Sequence, residues 1–156
     1  MQTFKKTFVW TFLISASFPG SLFAENLTLT CPQGDILFKV ELAQTPEEQQ
    51  KGLMFRTQLD QDAGMLFIYK EPHTVAMWMK NTPLSLDMIF CDQMGKILNI
   101  HEMASPYSLK TIGPIKGVAY VLEVRGGIVQ NHNISKACIV NVLTPATLKI
   151  MDPLDK

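Results

Sequence analysis

The run "MWMKNTPLSLDMIF", residues 77–90, is nearly all apolar, yet it carries Lys80, Asn81 and Asp87. Thr82-Pro83-Leu84-Ser85 at its centre has turn composition, with proline where the second turn position favours it. The spacing predicts a hairpin of 74–80 against 86–91 around a four-residue loop. In that register Lys80 faces Asp87, Met79 faces Met88, Trp78 faces Ile89 and Met77 faces Phe90. Opposed residues share a sheet face. One face is then Met77, Met79, Met88 and Phe90, and the other carries Trp78, Lys80, Asp87 and Ile89. The polar residues thus read either as a register-fixing ion pair or as a patch beside a tryptophan platform.

Period-two alternation continues outside this run. In "ILFKVELA" (36–43) Ile36, Phe38, Val40 and Leu42 alternate with polar partners, as in a half-buried strand. "VAYVLEV" (118–124) repeats the pattern, and "MLFIY", "TVAMWMK", "LDMIFC", "KILNIHEM" and "ACIVNV" are further strands separated by turn formers. One helix is signalled near 46–52: Thr45 as N-cap, Pro46 at its first position, Glu48 completing a capping box and Gly52 as the stop. A weaker helical turn follows Gly127. The expected fold is mainly β, α+β by strict count. It is a single compact antiparallel sheet tending towards a barrel, with one short capped helix.

The first 24 residues stand apart. Lys5 and Lys6 precede a 12-residue apolar run, Thr7–Phe18, then Pro19-Gly20 and small or apolar residues up to Ala24. That is the layout of a secretory signal peptide cut near Ala24, and the run is short of the roughly 20 residues that span a bilayer. The expectation is export, to the periplasm, with no stable membrane insertion afterwards. Residues 25–156 form one domain, since 132 residues suffice for one core and not two. Without Lys5 and Lys6 the formal charge becomes −2, which argues against nucleic acid as a partner. Cys31, Cys91 and Cys138 would then meet an oxidising compartment, and three pairings are open to them.

"ELAQTPEEQQKGLMFR", "GMLFIY", "WMKNTPLSLDMIF" and "VLEVRGG", in this order and spacing, resemble the bacterial and archaeal family called domain of unknown function 192. The likeness covers about residues 36–142. It implies a compact, mainly β, often secreted domain without an established activity. It draws notice to Gly52, Leu53, Met54, Arg56, Gly64, Met65, Trp78, Met79, Lys80, Asn81, Thr82, Pro83, Asp87, Pro106, Leu122, Glu123 and Gly127. One departure is Ser135-Lys136-Ala137, where the family usually has Gly-Asp before its last strand.

Three functions follow from the residues. The first is an exported binding or accessory domain for a small molecule or extended peptide, with Arg56, Trp78, Lys80, Asn81, Asp87 and Glu123 as ligand-binding candidates and no cofactor. The second is an enzyme with Asp87 or Glu123 as general acid/base and Lys80 or Arg56 holding an anion. The third is a periplasmic Cu(I) carrier, since His73, Met77 and Met79 lie on one side of a strand and thioethers suit copper. Arg56 is also suited to clamp Glu123 or Asp87. Catalytic motifs and zinc spacings are missing, so the sequence leans away from an enzyme.

Overall fold

A computed structural model of the chain describes residues 25–142. The expected signal peptide, 1–24, and the tail beyond Val142 lie outside the described residues. The elements in order are β1 (Glu25–Cys31), β2 (Gly34–Ala43), α1 (Pro46–Lys51), β3 (Ala63–Met77), β4 (Leu86–Cys91), β5 (Ile97–Ala104), β6 (Ile112–Arg125), α2 (Ile128–Asn131) and β7 (Ile139–Asn141).

The expected mainly-β class holds. Seven strands form one curled, half-barrel sheet in the order β5-β4-β6-β3-β2-β1-β7. Its neighbour pairings are antiparallel except β2 with β3, which run parallel. A parallel pair needs a crossover, and α1 supplies it. The helix begins as the sequence predicts: Glu48 N–H donates to Thr45 Oγ1, and the Glu48 carboxylate accepts from Thr45 N–H.

The predicted hairpin of 74–80 with 86–91 does not form. β6 lies between β3 and β4 and pairs with both. Val118–Val124 is buried throughout, as is all of β4. Strands apolar on both faces belong in the middle of a sheet, and that preference outweighs the local turn signal. Nor does Glu71-Pro72 end a strand. β3 runs on through it, and the ladder with β6 skips from Ile68 to His73, so the missing proline N–H breaks no pairing.

Both faces of the sheet are covered. One cluster takes residues from every strand, including Leu29, Phe38, Leu66, Ile89, Ile97, Leu122 and Val140. The other lies on alternate positions of β3, β4 and β6, with Met65, Phe67, Met88, Phe90 and Val121 roofed by Leu53 and Met79. The predicted grouping of Met79, Met88 and Phe90 with half-buried Met77 is therefore real, although the strands that bring them together are not neighbours.

The edges of the sheet meet at one end. Lys96 bridges Ile139, and Val140 N–H donates to Gly95 C=O over 2.9 Å. Gly95 has φ +76°, and a Cβ there would stand 2.0 Å from the Val140 carbonyl oxygen. Gly95→Ala should therefore open this closure and cost about 1–3 kcal/mol. Amide exchange at Val140 measures it, and unchanged protection would mean the edges close without this contact.

Candidate functional site

The segment between β3 and β4 is a loop fastened from two sides rather than a tight turn. Met79 N–H donates to Ser108 C=O over 2.9 Å. Asn81 C=O accepts from Phe55 N–H (2.8 Å), and Thr82 C=O accepts from Tyr107 N–H (3.0 Å). Two chain segments thus converge on residues 79–82, so that three stretches of chain meet there. Each contributes a residue in the left-handed region: Phe55 at φ 64°, Asn81 at 54° and Tyr107 at 59°. Asparagine visits that region readily, whereas an aromatic side chain there is strained. The surrounding hydrogen bonds hold both strained aromatics in place.

Their side chains face solvent. Phe55 is 71% exposed, Tyr107 62% and Trp78 45%. The Lys80 ammonium stands 5.1 Å above the Trp78 ring, within cation–π range. Asn81 Nδ2 reaches Met54 Sδ at 3.8 Å. Lys80 thus lies over Trp78, while the backbones of Phe55 and Tyr107 are tied to the same loop at Asn81 and Thr82. Phe55 and Tyr107 were not foreseen, because nothing in their sequence spacing ties either to this loop.

Asp87 is not part of that surface, which corrects the predicted Lys80–Asp87 pair. It is fully buried, and its cross-strand neighbour on β6 is Val124. Its two carboxylate oxygens accept from Met103 N–H and Val129 N–H, both at 2.8 Å. Val129 is the second residue of α2, whose N-cap Gly127 offers no side chain. Asp87 thus satisfies a helix-end amide that would otherwise be orphaned. Asp87→Asn, which keeps one acceptor, should cost about 1.5–3 kcal/mol without altering contacts at Trp78. Urea denaturation reads the loss, and no change in midpoint would remove this structural role.

Arg56 clamps the loop after α1 to the sheet, but through Glu41 on β2 and not through Glu123 or Asp87. Glu123 is left without a partner. It is 4% exposed, accepts no hydrogen bond and forms no ion pair. Every fully occluded side-chain nitrogen or oxygen among the described residues has a hydrogen-bond partner. The carboxyl oxygens of Glu123, having no partner, are therefore not fully occluded. Burial pushes its pKa up to about 8, so the group is mostly protonated at neutral pH. Burial and the nearby Glu123 charge raise Tyr69 to about 12. A Cβ on Gly52 would lie 3.1 Å from Phe67 Cζ and 3.9 Å from Glu123 Oε2, so glycine leaves room for ring and carboxyl alike.

The predicted copper set is only partly assembled. The His73 ring sits edge-on to Tyr69 at 4.6 Å, and Tyr69 OH points to Met77 Sδ at 3.9 Å. Met79, by contrast, is fully buried beyond the end of β3. No group of three or more His, Cys, Asp or Glu side chains among the described residues is placed to hold a metal ion. Cys31 and Cys138 form a disulfide, while Cys91 is free and buried, its thiol pushed up chiefly by that burial.

A half-barrel sheet with both faces packed and an aromatic loop cluster at its surface defines a small single-domain β scaffold. The chain belongs to the family domain of unknown function 192 (DUF192, "Uncharacterized ACR"), whose model matches residues 29–141. No curated protein matches it. Among solved structures it is similar to a "putative transcription regulator" from Sinorhizobium meliloti 1021, at 39% identity and TM-score 0.74, covering 78% of this chain and 97% of that one. It is also similar to a protein of unknown function from Novosphingobium aromaticivorans DSM 12444, at 35% identity and TM-score 0.74, covering 76% and 85%.

Proposed function

We propose that this protein is an exported accessory domain that binds a polypeptide partner through Phe55, Trp78, Lys80, Asn81 and Tyr107. The observation that carries this reading is the convergence of three left-handed residues, two of them exposed aromatics, on one hydrogen-bonded loop. Backbone strain of this kind persists where surrounding structure enforces it, and it gathers at functional sites. The aromatics are exposed over much of their surface. That favours a partner with its own pockets over a small molecule, which would be largely engulfed. Lys80 gives the surface a cation, so an extended peptide with apolar side chains and a carboxylate matches it.

Export is supported by the basic–apolar–small order of residues 1–24 and by the Cys31–Cys138 disulfide, which suits an oxidising compartment. The slight acidic excess without residues 1–24 favours a protein partner over nucleic acid. The regulator description belongs to the Sinorhizobium protein.

Of the enzymatic alternative, Glu123 and Lys80 keep groups free of hydrogen bonds and ion pairs. Arg56 is engaged by Glu41, and both Asp87 oxygens are occupied.

A photo-crosslinking amino acid at Phe55 or Tyr107 should yield a discrete adduct in cells, lost on Trp78→Ala. The same probe at Leu37, an equally exposed apolar residue on β2, should yield none. Equal labelling from all three positions, or none from Phe55 and Tyr107, would overturn the proposal.

A further inference from the structure

We propose that the Glu123 carboxylate, flanked across the sheet by Met65 and Met88, is a binding site for one soft monovalent cation, with Cu(I) as its biological form. This lies beyond the loop surface described above and involves none of its residues.

The argument starts from strand register. Glu123 on β6 is the direct partner of Met65 on β3 and of Met88 on β4. Directly paired residues in neighbouring strands project to the same face, with Cβ atoms about 4.5–5.5 Å apart. The Glu123 side chain therefore leaves the sheet between those of Met65 and Met88. The row continues beyond Met88 to His101 on β5, on that same face. No sequence spacing shows this, since the row gathers residues 65, 88, 101 and 123.

The second observation is the carboxyl itself. It is almost wholly buried and unpartnered, and its oxygens are not fully occluded. A polar group left so is costly unless something completes it. Neighbouring donors decide what that is. No third His, Cys, Asp or Glu among the described residues joins Glu123, so hard or borderline ions find no ligand set. Thioethers are soft ligands and select Cu(I), and one carboxylate matches a single positive charge. The balance is simple: the protonated carboxyl releases its proton to water, and the cation takes its place between the sulfurs. This set shares no residue with His73, Met77 and Met79, of which His73 is exposed.

The test is anaerobic competition of the purified, disulfide-intact protein with bicinchoninate for Cu(I), with Ag(I) as a redox-inert check. The wild type should withdraw one equivalent, and Cu(I) should raise its melting temperature. Glu123→Gln and the Met65→Leu/Met88→Leu double variant should each weaken uptake at least tenfold and abolish the melting shift. Both replacements conserve volume, so the fold is kept, and a melt without metal verifies it. His73→Ala/Met77→Leu and Trp78→Ala should bind as the wild type does, which separates this site from the loop surface. No uptake by the wild type, unchanged uptake by Glu123→Gln and the double variant, or loss confined to His73→Ala/Met77→Leu would each overturn the proposal.

Discussion

Glu123→Gln should make this protein more stable at pH 8 to 9, by an amount on the order of 5 kcal/mol. Burial raises the folded-state pKa of Glu123 from 4.5 to about 8. Below the unfolded value the group is protonated in both states and costs nothing. Between about 4.5 and 8 the unfolded chain ionises while the folded one keeps its proton, so stability falls as pH rises. The slope is about 1.4 kcal/mol per pH unit, and the loss is complete above pH 8. Most carboxylates act in the opposite sense, because pairing lowers their folded pKa. Glutamine resembles the protonated acid in size and charge, so the variant should lack this pH term. Urea midpoints of both proteins from pH 4 to 9 make the measurement. Their difference should be near zero at pH 4 and reach its maximum above pH 8, and the subtraction removes other titrating groups. Parallel curves would show that the carboxyl is hydrated in the folded protein, undermining the buried acid on which the cation site depends.

The second large effect should come from the disulfide. Cys138→Ser should cost roughly 4–5 kcal/mol, the chain-entropy value for a closed loop of about 100 residues; the bridged cysteines lie 107 positions apart. The bond also tethers a weak edge. β7 has only three residues, and its ladder pairs them with Thr28–Thr30 of β1. Without the cross-link, β7 should fray first and take the Lys96–Ile139 bridge with it. Dithiothreitol on the wild type should reproduce the variant's urea midpoint. Cys91→Ala should not mimic it, since that thiol is unbridged. An unchanged midpoint in Cys138→Ser would mean that the sheet closes unaided.

Local features were legible where a residue's role is fixed by its immediate neighbours. The capping box at Thr45, Pro46 and Glu48 requires only one turn of chain and stands as read. The Lys80–Trp78 contact spans two positions and survives as well. The predicted opposition of Lys80 and Asp87 failed because it assumed that strands adjacent in sequence pair with each other. Both faces of β6 are apolar at its centre, so it entered between them, and Asp87 turned to the backbone amides of Met103 and Val129. Glu41 answered Arg56 for a similar reason: the parallel β2–β3 crossover carries the loop after α1 back across β2.

By itself the sequence determined the strand-rich class, the capped helix and the apolar faces, since alternation and capping are properties of neighbouring residues. Only the tertiary structure decided strand order, the Cys31–Cys138 pairing, the meeting of Phe55 and Tyr107 at one loop, and the isolation of Glu123 between Met65 and Met88. Those depend on which distant segments share a ladder, and that choice follows from burying the most apolar surface in the whole chain rather than in any window of it.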